Sequence, residues 1–287
     1  MSESSSANGA SASRGLWSSR MAFILAATGS AVGLGNIWKF PYVTGENGGG
    51  AFVLVYLACI AVIGIPIMMA EVFIGRNGGR NPVASMRLIA ERNLVNPLWR
   101  LSAIIGVLAA FVILSFYSVI GGLLASPTQL LLWHTVFMAL VILVVSRGLK
   151  SGLEKAVKIL MPALFMLLLI VVGYATTTGH FGEAVSFLFR PDFSKLTMAG
   201  VLVALGHAFF TMSLGMAIMM AYGSYLGRDI SIGRTAITVG IMDTVVALMA
   251  GLAIFPLVFA NGLEGSEGPG LIFLTLPLAF GQMPMGA

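Results

Sequence analysis

The sequence predicts an all-α integral membrane protein of about seven transmembrane helices, two of them interrupted at mid-membrane. Three observations predict it. The chain is too apolar for water: 58% of its 287 residues are hydrophobic and 9% are charged, at a mean hydropathy of +0.96. A soluble domain carries about a quarter charged residues. Next, apolar runs recur at 21–44, 50–75, 99–125, 128–147, 155–178, 198–225 and 233–260, each long enough to cross about 30 Å of hydrocarbon at roughly 20 residues per crossing. They are continuous, not alternating over about ten residues, so helices and not a barrel satisfy the backbone. Finally, the first and sixth runs place glycine and polar residues where a spanning helix has least use for them.

Met1 to Arg14 is polar and rich in Ser and Ala, and reads as a disordered tail. Arg14, Arg20 and "MAFILAATGSA" imitate a signal peptide, but the apolar character resumes beyond Ser30 and reaches spanning length. With the N-terminus inside, only Lys39, Arg190 and Lys195 of the 16 basic residues fall outside, which is the bias expected of cytoplasmic loops. That bias accounts for the net charge of +5 without nucleic acid, since a basic cytoplasmic face lies against anionic lipid. The lone Cys59 lies in an apolar run and reads as packing.

Span one contains "ATGSAVGLGNIWKFPY". Its glycines alone are equally a small-residue packing face or an unwound stretch whose bare peptide groups bind ions. Asn36 favours the second, because its amide oxygen is a hard ligand for an alkali cation. Span six offers a counterpart in "GHAFFTMSLGMAIMMAYGSY", with Thr211, Ser213 and Gly215 at mid-span. Back-bonding to a carbonyl one turn earlier is the alternative for its hydroxyls. Asp243 lies mid-span in "TVGIMDTVVALMAG" with no basic residue in its helix; a carboxylate there costs several kcal/mol and usually marks an ion pathway, the alternative being a protonated Asp bonded to a backbone carbonyl. Glu71 is less deep and is either functional or paired with Arg76 or Arg80. Tyr117 places a phenol at mid-span that needs a partner. His207 reads as a satisfied packing residue, and His134 as an interfacial anchor. Loop 75–97 has room for a short amphipathic helix, and 176–197 is an outer loop with aromatic residues. The three scattered histidines show no transition-metal spacing, "GLGNIWKF" is no dinucleotide fingerprint, and nothing suggests an enzyme.

These residues carry a resemblance. "RGLWSSRMAFILAATGSAVGLGNIWKFPYVTGENGGGAFVLVY" resembles the first-helix signature of the neurotransmitter:sodium symporter family, and "GIPIMMAEVFIGR", "FYSVIGG", "FFTMSLGM" and "PGLIFLTLPLAF" are similar to its later motifs, in order. The resemblance implies a LeuT-type bundle with a partial inverted repeat, spans 1 and 6 unwound, and sodium-coupled symport of a small hydrophobic amino acid across the cytoplasmic membrane. It implies one Na+ site at Ala31, Asn36, Thr211 and Asp243, and part of a second at Gly29 and Val32. The substrate would meet Ala31, Leu34, Gly35, Ile113, Tyr117, Phe210, Thr211, Ser213 and Met216. Arg14, Trp17, Lys39, Phe210 and Tyr225 would gate the site, and Glu71 would link the two broken helices. Some family members with Asn at the Asp243 position bring in chloride; Asp243 supplies that charge itself.

The resemblance divides the chain into a cytoplasmic tail and gate segment (1–20), spans 1–5 (21–178), an outer loop (179–197), spans 6–7 (198–260) and a final outer loop (261–287). Family members have about twelve spans. The remainder of the second sodium site, the acidic partner of Lys39 and the long outer loop after span three are not found, Gly121 to Leu130 leaving only a tight turn. The expected partners are therefore an amino acid, the bilayer, and a second copy or a missing C-terminal half. The alternative is a truncated helix bundle that does not transport. A seven-span retinal protein is disfavoured because span seven has no lysine for a Schiff base.

Overall fold

The computed structural model describes residues 16–33, 35–124, 127–260 and 262, and their side chains except at 113–124, 127–130 and 133. Span one is two helices. Ser19 caps α1 (Arg20–Ala31) by accepting the Ala22 N–H at 3.1 Å. The chain leaves the helix at Val32, runs through a π turn at Gly35–Lys39, and continues as α2 (Phe40–Glu46), with Pro41 in the first turn where its missing N–H costs nothing. The two halves are bent by 54°.

Span two comprises α3 (Gly50–Cys59), a π turn at Ile60–Gly64 and α4 (Ile65–Gly78), and crosses as one rod. The widened turn sits where Pro66 removes a donor from the ladder. The amphipathic helix expected in loop 75–97 is α5 (Pro82–Arg92). α6 (Arg100–Leu124) and α7 (Pro127–Ser146) form the third and fourth spans. The fifth joins a π turn at Leu149–Glu154 to α8 (Lys155–Ala175). The segment expected as loop, 179–197, in fact contains α9 (Phe181–Phe189), with Ala184 and Leu188 buried. Nine residues are too few for a period to show in sequence, and the helix persists because that face packs on α3 and α12.

Span six is broken like span one: α10 (Met198–Thr211) and α11 (Ile218–Gly223) are separated by non-helical chain. Span seven, α12 (Ile232–Ala260), is the most enclosed of the long rods and contacts α1, α2, α4, α8 and α9.

Apolar burial does not drive helices together in lipid, so close packing of small residues must. The inner half of span six shows this. A methyl group on Gly75 would stand 2.0 Å from the Met220 carbonyl oxygen, and one on Gly223 would stand 2.6 Å from that of Val72. Helices α4 and α11 thus meet backbone to backbone, and this contact fixes the lower lip of the second break.

Candidate functional site

The two breaks face each other. In span one, Val32 takes an extended backbone and its N–H still reaches the Thr28 carbonyl at 2.6 Å. The carbonyls of Gly29, Ala31 and Val32 accept no hydrogen bond from a described residue. Bare carbonyls near a membrane midplane need a cation or a polar ligand. In span six, Ser213, Gly215 and Ala217 all take positive φ, at 54°, 74° and 61°. Such a conformation at a non-glycine residue costs about 1–2 kcal/mol, so the surrounding contacts must hold the break open.

A fully buried network joins spans one, six and seven. Asn36 and Asp243 are 0% exposed and Thr211 is 1% exposed. The Asn36 amide donates to Asp243 Oδ1 at 2.8 Å and to the Asp243 carbonyl at 3.2 Å. The Thr211 hydroxyl donates to both carboxylate oxygens, at 3.0 and 3.1 Å. Among the described residues, Asn36 Oδ1 accepts only the Gly33 N–H, at 3.3 Å. No basic side chain among the described residues pairs with Asp243. The donors here are oxygens, and the described residues contain no cluster of three His, Cys, Asp or Glu side chains. An oxygen set with one uncompensated carboxylate suits a hard cation. Three of the four positions expected for the first sodium site are therefore hydrogen-bonded together, and the fourth, Ala31, offers its carbonyl in the adjacent break.

Sequence reasoning missed Tyr56. It is fully buried, with its hydroxyl beside Thr211 and Asp243 but in no well-formed hydrogen bond. Nothing in "VLVYLAC" separates it from a packing aromatic.

Glu71 does not pair with Arg76 or Arg80. Its Oε1 accepts the Gly215 N–H at 2.7 Å, while Arg76 donates to the Ile230 carbonyl at 2.8 Å. Glu71 thus ties span two to the break in span six. Its Oε2 is buried without a partner among the described residues. The breaks are linked directly by Ser213, whose hydroxyl donates to the Ser30 carbonyl at 2.9 Å; Ser30 was not anticipated.

On the α2 side of the breaks Phe210 lies over Gly35. A methyl group on Gly35 would meet the Phe210 ring at 2.8 Å, so only glycine lets the ring lie this close. Lys39 holds its ammonium 4.3 Å from the centre of the same ring, within cation–π range. Gly35→Ala is expected to displace the ring and weaken binding of a ligand held beneath it about tenfold, toward the low end of an overpacking cost of about 1–3 kcal/mol. Equilibrium binding checks this. Met216 is half-buried at the inner edge of the break. Gly29 packs against Met161 and Val157 of α8. Leu34 and Arg14 lie outside the described residues, as do the side chains of Ile113 and Tyr117.

Before α1 Trp17 is buried, donating its backbone N–H to the Tyr225 carbonyl at 3.1 Å and its indole N–H to the Tyr222 carbonyl at 3.2 Å. Tyr225 therefore acts through its backbone, and Tyr222 joins it. Ser18 donates its N–H to Glu154 Oε2 at 3.1 Å, its hydroxyl bonds Glu154 Oε1, and Lys158 reaches that oxygen at 2.6 Å. The segment before α1 is thereby pinned to spans five and six. His207 is packed but not satisfied: it is buried between Phe40 and Tyr56, at 5.9 and 5.3 Å, with both ring nitrogens lacking partners among the described residues.

Comparison with known proteins gives a consistent picture. The family model described as "Sodium:neurotransmitter symporter family" matches residues 14–125 and 122–287. The chain is similar to an uncharacterized sodium-dependent transporter, YhdH, of Bacillus subtilis (strain 168), at 41% identity over 298 residues, covering 94% of this chain and 65% of the relative. It is 32% identical to an uncharacterized sodium-dependent transporter of Haemophilus influenzae, covering 95% of this chain and 67% of the relative. Among solved structures it resembles MhsT in complex with L-phenylalanine, with a TM-score of 0.85 at 44% identity, over 95% of this chain and 68% of that one. The chain thus spans about two thirds of the length of these relatives.

Proposed function

The chain belongs to the sodium:neurotransmitter symporter family, and from that premise we propose that it carries out sodium-coupled symport of a small hydrophobic amino acid across the cytoplasmic membrane. The observation that carries the reading is the buried Asn36–Thr211–Asp243 network set between two facing helix breaks.

Sodium binds among the Ala31 carbonyl, the Asn36 amide oxygen, Thr211 and Asp243, and offsets the carboxylate charge that the interior could not otherwise hold. The carbonyls of Gly29 and Val32 form part of a second sodium site. The amino-acid carboxylate lies against the bound cation and the N–H groups of Leu34 and Gly35, with the Tyr117 hydroxyl beside it. Its ammonium meets the carbonyls near Ala31 and Phe210. Ile113, Phe210 and Met216 line the side-chain pocket. L-phenylalanine in MhsT favours an apolar side chain. Phe210 closes the outer side under Lys39, and Arg14, Trp17 and Tyr225 close the inner side. The distribution of Lys and Arg supports a cytoplasmic N-terminus.

The family model breaks at 122–125, where the sequence leaves a tight turn between spans three and four. This supports a shortened outer loop there. The chain covers 65% of its Bacillus subtilis relative, and the second reading is a helix bundle that does not transport on its own.

The test is binding of a panel of labelled amino acids to the purified chain in sodium or potassium, each as chloride or gluconate. Sodium-dependent binding of apolar amino acids, unchanged in gluconate because Asp243 supplies the negative charge, is the expected result. Strict dependence on chloride contradicts the role given to Asp243, and no binding under any condition leaves the non-transporting bundle.

A further inference from the structure

At the end of the bundle where basic residues cluster, α5 and the first turns of α6 enclose a groove of about 510 Å³, its walls including Asn81, Val83, Arg87, Arg100 and Val107. We propose that this groove binds the headgroup of an anionic phospholipid, with the phosphate between Arg87 and Arg100 and an acyl chain along α6.

The groove is charged at its mouth and apolar along its length. Arg100 opens α6, and Ile104, Val107, Leu108 and Phe111 follow at spacings that share its face. Val107, Leu108 and Phe111 are 49%, 57% and 68% exposed. A soluble anion would use only the arginines. An amphiphile uses both parts, and the boundary between them lies where a headgroup meets hydrocarbon.

The cationic groups are available. The Arg100 guanidinium makes no hydrogen bond or ion pair with a described residue. Arg87 engages Glu91 through Nε alone, at 2.7 Å, in a pair whose side chains are 61% and 48% exposed. Such an exposed pair holds weakly, and the two terminal nitrogens of Arg87 remain for a phosphate, which guanidinium matches in geometry. Glu91 is the one acid that competes. The N-terminus of α5 adds a donor: Asn81 caps the Ala84 N–H at 2.9 Å, while the Val83 N–H has no acceptor among the described residues.

Native mass spectrometry of the purified chain, released from nanodiscs of equal phosphatidylglycerol and phosphatidylcholine, tests the site. The expected result is one retained phosphatidylglycerol per chain, in several-fold excess over phosphatidylcholine. Arg100→Gln and Arg87→Gln each reduce that occupancy at least fivefold. Arg147→Gln, at the other basic turn, leaves it unchanged, and 10 mM inorganic phosphate does not displace the lipid. Should Arg100→Gln fail to fold, Val107→Glu places an acid in the groove and gives the same loss. Equal retention of the two lipids, indifference to the arginine and Val107 variants, displacement by inorganic phosphate, or a dimer that the arginine variants dissociate would each overturn the proposal.

Discussion

Asp243→Ala should sharply weaken sodium-dependent amino-acid binding. The carboxylate is fully buried, accepts hydrogen bonds from Asn36 and Thr211, and has no basic partner among the described residues. Removing it leaves a bound cation with no full negative charge from the protein in a low-dielectric site, and breaking a buried charge pair costs about 3–5 kcal/mol. Affinity for the amino acid in sodium should fall by about 10²–10⁴-fold, while helix content measured by circular dichroism stays the same. Asp243→Asn separates charge from geometry. An amide oxygen still accepts from Asn36 and Thr211, so this variant keeps the network and loses the charge. Its affinity should lie between wild type and Asp243→Ala. If Asn matches wild type, the charge is not what holds the cation.

Gly75→Leu has the largest expected effect on stability. The carbonyl of Met220 occupies the position a side chain at Gly75 would need, at 2.0 Å, and it is backbone, so no rotamer change relieves the clash. Helices α4 and α11 must part, which should cost near or above the upper end of the about 1–3 kcal/mol usual for overpacking. For a chain of this size that lowers the melting temperature in detergent by roughly 5–10 °C. Gly173→Leu is the control, since Gly173 is exposed on α8 with nothing within 4 Å of an added methyl group. The separation of α4 from α11 also moves Gly215 relative to Glu71, so the Gly75 variant should bind amino acid more weakly even below its melting temperature.

The spans were legible because lipid demands long apolar runs, and Asp243 and Asn36 were legible because a polar group at mid-span needs a reason. The contacts that hold the breaks open were harder to read. Glu71 had two arginines near it in sequence, yet helical geometry sends Arg76 to Ile230 and leaves Glu71 facing Gly215. Tyr56 sits among aliphatic residues, and only the fold brings its hydroxyl to Thr211. Glu154 lies in a turn whose basic residues dominate the reading, and its burial depends on Ser18, 136 positions away. His207 reads as a histidine in a packed helix, and nothing in its run counts its partners. In each case the missing information is a contact between distant parts of the chain, where period and composition carry no signal.

The proposed function requires one cation and one amino acid to share the paired breaks of spans one and six. Linkage tests this directly, because two ligands that stabilise one another must do so by the same factor in both directions. The measurement is a titration of labelled L-phenylalanine binding against sodium, paired with sodium binding at zero and saturating L-phenylalanine, on the purified chain. The account predicts that sodium tightens amino-acid binding at least tenfold and that the amino acid tightens sodium binding at one site by an equal factor. Amino-acid affinity that is the same in sodium and potassium would contradict it.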